Sequence, residues 1–262
     1  MHSETEYLSK EEIDRLWGES EKNFVVNSLK SGKKLSDIIP RIKNFESAFA
    51  EIPESLGCSD GRICEHRFGG AGVFILASAE EQEKFAEKNK GKIKEVTSHE
   101  GCGAAKIKFD AIKEAGEQLP VGVKTANELG IFYAKKMADI LKAEYRHIKA
   151  EEMSGKLHNE RAIYFDGTGK FNSGALSEMP AGFISSSPNF GFSEEYCRNE
   201  LIALANIALG DHGFGEKFNK ENPFYIFVSA ENEEQLEKLK EIAQRAAENF
   251  NGRVAVDGFS RE

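Results

Sequence analysis

Cys58-Ser59-Asp60-Gly61-Arg62 and Ser98-His99-Glu100-Gly101-Cys102-Gly103-Ala104-Ala105 are the two stretches on which the reading of this chain turns. Brought together, Cys58, His99 and Cys102 offer two thiolates and an imidazole, a donor set that suits zinc. Three protein ligands leave the fourth tetrahedral position open, the arrangement of a catalytic rather than a structural zinc. Asp60 lies two residues beyond the first cysteine and Arg62 two further on. In an extended segment such positions share a side, so Cys58, Asp60 and Arg62 can face one pocket. A lone histidine is seldom a ligand and buried cysteines often just fill a core. His-x-x-Cys at the mouth of a helix, with Cys58 as third donor, is a more specific pattern.

Elements read outward from these segments. Pro53 and two glutamates leave room only for a short strand before Cys58. Arg67 to Ala77, glycine-rich and then apolar, reads as a buried strand. Glu80 to Lys90 reads as a solvated helix, Lys92 to Ser98 as a strand delivering His99, and Cys102 to Gly116 as a helix. Strand and helix alternating, with ligands at strand ends, is the pattern of a parallel α/β sheet. Thr125 to Ala150 reads as one long amphipathic helix on Leu129, Phe132, Tyr133, Met137, Ile140, Leu141 and Tyr145. Ala162 to Phe165 is a strand leading to the turn Asp166-Gly-Thr-Gly. A short strand at Phe183-Ile-Ser and a helix from Glu195 to Leu209 follow. The tail reads as strand 224–229, helix 231–250 and strand 254–256.

Residues 1–50 read as a helical arm, with Ser9 and Glu12 in capping-box spacing. The arm covers either its own sheet or a neighbouring subunit. The expected organisation is this arm, a zinc-binding α/β core over 51–190, and a C-terminal helix plus βαβ extension of the same domain over 191–262. Phe74-Ile-Leu-Ala-Ser-Ala-Glu-Glu-Gln echoes Tyr225-Ile-Phe-Val-Ser-Ala-Glu-Asn-Glu-Glu-Gln. A duplicated half or chance accounts for this, chance being the simpler, and the second stretch has no Cys or His at ligand positions.

Cys-x-Asp-x-Arg followed by His-x-x-Cys-Gly resembles the signature of the β-class carbonic anhydrases. The resemblance covers about Leu56 to Ala105 and continues more faintly to Arg161–Lys170. It implies a central, mainly parallel sheet flanked by helices and a zinc ion on Cys58, His99 and Cys102. The implied chemistry is reversible hydration of CO2 to bicarbonate by zinc-bound hydroxide. Asp60 would accept a hydrogen bond from that hydroxide, and Arg62 would pair with Asp60, which in some relatives ligates the zinc of an inactive form. A homodimer or higher oligomer, with the pocket at a subunit interface, is implied as well. The chain departs from the family's pattern in its short interval between Cys58 and His99 and in its C-terminal βαβ tail, so metal binding carries over more directly than substrate. Carbonyl sulfide or carbon disulfide hydrolysis on the same zinc, or a non-catalytic zinc-stabilised protein closed by Asp60, are the alternatives.

Composition sets the outer bounds. The 262 residues carry a formal charge of −9, which excludes nucleic acid as a main partner because phosphate binding needs a basic surface. No apolar run reaches the roughly 20 residues of a membrane span. Four cysteines are too few for a disulfide scaffold, and the opening Met-His-Ser-Glu-Thr-Glu is too acidic for a secretory signal. The expectation is a reduced, cytoplasmic protein. His66, Cys64 and Glu100 stand close to the motifs as possible proton carriers. Gly101 and Gly103 let backbone amides approach the site, and the amides of Gly103 and Ala104 would face Cys102 or an anion. Cys197, His147, His158 and His212 read as structural or solvated.

Overall fold

The computed structural model describes residues 9–63, 66–155, 158–210 and 213–262. Three short helices come first: α1 (Lys10–Ser20), α2 (Phe24–Lys30) and α3 (Leu35–Ile38). Ser9 and Glu12 close the capping box at the start of α1. Then follow β1 (Ser55–Cys58), β2 (Phe68–Gly70), α4 (Ala79–Asn89), β3 (Glu95–His99), α5 (Gly103–Glu114), α6 (Ala126–Leu141) and β4 (Glu144–Ile148). The remainder is β5 (Ala162–Asp166), β6 (Gly182–Ser185), α7 (Glu194–Leu209), β7 (Phe224–Ala230), α8 (Glu233–Ala247) and β8 (Val254–Ser260).

The fold is α/β, as expected, but its strands form two four-stranded sheets, each wholly parallel. Their orders are β2-β1-β3-β4 and β6-β5-β7-β8. The tail strands belong to the second of these together with β5 and β6. That sheet is buried on both faces, so its strands are near-continuous apolar runs. Side chains alternate across it. Ile163, Phe165, Ile226 and Val228 pack under α7 and α8, whereas Ala162, Tyr164, Tyr225 and Phe227 face Val25, Leu35, Ile38 and Phe49 of the N-terminal arm. The arm thus covers its own chain. Trp17 of α1 lies edge-on to Phe214 and Phe218 and under the Arg161 guanidinium, 3.9 Å from the ring centre.

Two expected elements differ. Arg67–Ala77 is not one strand: β2 ends at Gly70, and Gly72, Val73 and Phe74 turn the chain through left-handed backbone. The apolar run is therefore a buried turn, with Phe74 ringed by Phe85, Phe190 and Phe192. The long helix from Thr125 stops at Leu141, where Lys142 caps it in the left-handed region. Glu144–Ile148 then forms the edge strand β4, paired with β3, because its alternating polar and apolar residues suit a strand with one solvated face.

The edges of the two sheets meet at β2 and β6. Ile184 donates its amide to Ser59 O (2.9 Å) and Ser186 donates to Gly69 O (2.9 Å). From α7, the fully buried carboxylate of Glu200 accepts from the Ala71 amide (2.6 Å) and the Ser185 hydroxyl (2.7 Å). Burial pushes its pKa up against these donors. The approach is so close that a Cβ on Gly69 would stand 2.2 Å from Ile184 O.

Gly69→Ala should therefore lower stability in urea unfolding by about 1–3 kcal/mol. Gly18→Ala within α1, where nothing lies within 4 Å of the added carbon, should instead stabilise by up to about 1 kcal/mol. Glu200→Ala orphans the Ala71 amide and should cost about 1–3 kcal/mol in the same measurement.

Candidate metal centre

Cys58 ends β1, His99 ends β3, and Cys102 is the N-cap of α5. β1 and β3 are parallel neighbours, so both ligands leave from carboxyl ends, where sites in parallel sheets form. Gly101, in left-handed backbone at φ 67°, turns the chain so that Cys102 comes back toward His99. All three side chains are buried. Their donor atoms lie within 4.8 Å of one another, a group able to hold a metal ion.

The donors fit such an ion. Two sulfurs each about 2.3 Å from a tetrahedral zinc would be about 3.8 Å apart, and Cys58 Sγ and Cys102 Sγ are separated by 3.7 Å. His99 Nδ1 donates to the carbonyl of Glu100 at 2.8 Å. That bond leaves Nε2 as the lone-pair nitrogen, the usual support for a metal-ligating imidazole. Nε2 is buried and lacks a hydrogen-bond partner. The two sulfurs lie within hydrogen-bonding distance of each other. The hydrogen bond from Cys102 and the neighbouring His99 overcome burial and hold Cys58 well below the thiol range, while that same bond and burial push Cys102 well above it. Burial lowers the pKa of His99, but the Cys58 thiolate and Asp60 outweigh it and raise the net value.

Asp60 and Arg62 also converge here. Arg62 donates its backbone amide (2.9 Å) and Nε (3.0 Å) to Asp60 Oδ1, and Nη2 (2.6 Å) to Oδ2. Asp60 Oδ2 lies 3.8 Å from His99 Nε2. Burial opposes ionisation of Asp60, but the Arg62 hydrogen bonds and the charges of His99 and Arg62 hold its carboxyl well below the usual range. The motif loop is gripped from below by Arg67, whose Nε reaches Cys58 O at 3.0 Å while its terminal nitrogens donate to Asp60 O and Ile63 O.

Other residues near the motifs go elsewhere. Glu100 accepts from the Ala150 amide (3.1 Å), His66 lies 3.5 Å from Glu51, and His147 Nδ1 meets Ser98 Oγ at 2.8 Å. Of the α5 amides, that of Ala105 reaches Cys102 and favours its thiolate. Cys197 is buried in the core between the second sheet and α7 and α8. Cys64 and His212 lie outside the described residues. Sequence reasoning missed His158 and Glu160. Their ligand atoms lie within 4.8 Å of each other and of Asp60, with His158 Nδ1 3.5 Å from Glu160 Oε2. Glu160 is 3% exposed, and neither of its carboxylate oxygens has a hydrogen-bond partner. Nothing in the spacing flagged them, because about a hundred residues separate them from Asp60.

Comparison of the chain with family models, with curated proteins and with solved structures returned no match. The site therefore rests on its own geometry.

Loading with cobalt and counting metal by mass spectrometry should give one ion per chain. Cys58→Ser, His99→Ala and Cys102→Ser should each abolish stoichiometric binding, and Cys197→Ser should leave it intact. Binding must strip the proton from Cys102, held above the ordinary thiol range, so affinity should rise with pH.

Proposed function

We propose that this protein is a zinc-dependent enzyme that hydrates CO2 reversibly to bicarbonate, in the manner of the β-class carbonic anhydrases whose motifs it resembles. The observation that carries the reading is the placement of an ionised carboxylate beside a three-donor group. Asp60 Oδ2 stands 3.8 Å from His99 Nε2, and Arg62 fixes its orientation through hydrogen bonds from its amide, Nε and Nη2. Cys58, His99 and Cys102 would hold the zinc, which when bound supplies hydroxide near neutral pH by lowering the pKa of its water to about 7.

The chain's own residues supply the remainder. Asp60, kept ionised, is an acceptor only, so it would take a hydrogen bond from the hydroxide and orient it towards the carbon of CO2. Arg62 offers a fixed fork to that carboxylate. Its tie engages both carboxylate oxygens of Asp60 and would keep that side chain from joining Cys58, His99 and Cys102 as a further ligand. The N-terminus of α5, starting at Gly103, places a partial positive charge beside Cys102. The product bicarbonate is an anion, and Arg62 and this helix end favour its formation. The proton released in the reaction returns to solvent.

Stopped-flow measurement of CO2 hydration on zinc-loaded protein tests this directly. Activity should rise from neutral to alkaline pH and vanish in Cys102→Ser. Asp60→Ala should lower kcat by about 10²-fold or more. Stoichiometric zinc with no turnover at any pH would refute CO2 as the substrate. Carbonyl sulfide and carbon disulfide would then be assayed on the same site.

A further inference from the structure

The two sheets share one topology. In each, the first strand of its half pairs with the second and third, the third pairs with the fourth, and all are parallel. They also share an uncommon connection. Parallel neighbours are normally joined by a crossover of about a dozen residues or more, usually a helix. Here β1 reaches β2 through residues 59–67 and β5 reaches β6 through 167–181, neither with an α-helix among the described residues. An Asp-Gly pair stands near the start of each connection, Asp60-Gly61 two residues past β1 and Asp166-Gly167 at the last residue of β5. Asp60 Oδ1 accepts from the amide of Arg62 at 2.9 Å, and Asp166 Oδ1 accepts from the amide of Thr168 at 2.8 Å. A single helix, α4 or α7, then leads to the third strand of each half. The echo between Phe74 and Tyr225 is not part of this relation: one stretch is a turn and the other the strand β7.

Anchored on the two Asp-Gly turns, the strand pairings carry one half onto the other. Leu56, paired with Phe68 and Val96, corresponds to Ala162, paired with Gly182 and Tyr225. Counting along the strands, Cys58 falls on Tyr164 and His99 on Val228. By the same count Cys102, which caps α5, falls on Glu231, one residue before Asn232, the cap of α8. No cysteine or histidine stands at these positions in the second half. Its aspartate persists as a fully buried structural group, held by Thr168, Ser229 and the Phe171 amide.

The second half lies against the first at the edge beside the metal centre, through Ile184 on Ser59 and Ser186 on Gly69. It also sends His158 and Glu160 up to Asp60, with the Glu160 carboxylate buried and without a hydrogen-bond donor. We infer that the chain is an internal duplication whose second copy, stripped of metal ligands, takes the place of a second subunit, so that a single chain completes its own site with His158 and Glu160 as positioning residues for Asp60. The homodimer that the β-class resemblance implies is then unnecessary. The inference draws on the metal centre but not on CO2 as substrate.

Light scattering after size exclusion, on metal-free and cobalt-loaded protein over a wide dilution range, should give a monomer of 29.1 kDa with one cobalt per chain when loaded. A dimer at every dilution, or cobalt lost as a dimer dissociates, overturns the assignment. Mass is read with and without metal, so failure to bind cobalt is distinguishable: it would refute the metal centre and, with it, the role given to His158 and Glu160. For that role, Glu160→Gln and His158→Gln should keep one cobalt per chain and the monomer mass but shift the visible cobalt bands, since Asp60 faces the site. Bands identical to wild type in both variants would overturn it. If either variant fails to fold, the reading falls to the other and to the wild-type mass.

Discussion

The guanidinium of Arg67 is the contact on which the metal centre depends. Between β1 and β2 the chain must turn back into a parallel neighbour within nine residues, too few for a helix to satisfy its backbone internally. Buried carbonyls left by such a turn need donors. Arg67, 3% exposed, supplies three through one rigid fork, to Cys58 O, Asp60 O and Ile63 O. A lysine, with one compact ammonium, could not span those three positions. The cost is space. A Cβ at Gly57 would stand 2.7 Å from Arg67 Cδ, so the strand that ends on Cys58 carries glycine there. Once the loop is pinned, Cys58 and Asp60 both face His99 and the Asp60–Arg62 pair closes over them.

That pair is buried on both sides, with side chains 4% and 12% exposed. Two desolvated charges at this depth gain little net stability, whereas removing one partner alone typically costs about 3–5 kcal/mol. Stability is therefore a weak reason for the pair to exist. What it does provide is a carboxylate of fixed charge and fixed direction next to His99. The same environment separates the two cysteines, holding the Cys58 thiol below the ordinary range and the Cys102 thiol above it. A cation placed between them would favour the thiolate form of both.

Much of this was legible in the sequence because strand ends, caps and ligands lie close together in the chain. The Cys58 and His99 segments, the N-cap at Cys102, the Asp166-Gly turn and the C-terminal helix and strands all announce themselves through local chemistry. The misreadings were places where tertiary packing overrode a local pattern. Ala71–Ala77 is apolar enough for a strand but turns because aromatic rings from α4 and the 187–192 segment enclose Phe74. Tyr145 keeps helical spacing with Leu141, yet it lies beyond the left-handed cap at Lys142. Arg67, Glu200, Glu160 and His158 left no local mark at all. Their partners are backbone groups, or side chains distant in sequence, which spacing rules do not reach.

Several of the buried unsatisfied groups gather beside the candidate metal centre. Ser59 Oγ, His99 Nε2, His158 Nδ1 and both Glu160 oxygens are buried without hydrogen bonds, and all stand at or beside the seam between the sheets. Each such group costs about 1–3 kcal/mol relative to a paired one. The second sheet has every residue of β5, β6 and β7 buried and its strands packed on both faces, and buried atoms without partners occur beside it as well, at Arg161 Nε and Nη2 and, on α7, at Tyr196 Oη and Arg198 Nε. A metal ion on Cys58, His99 and Cys102 would satisfy the imidazole nitrogen and both sulfurs at once, so its binding energy enters directly as folding energy of the first sheet. The buried, partnerless Nε2 of His99 is thus the atom whose pairing a metal ion would complete.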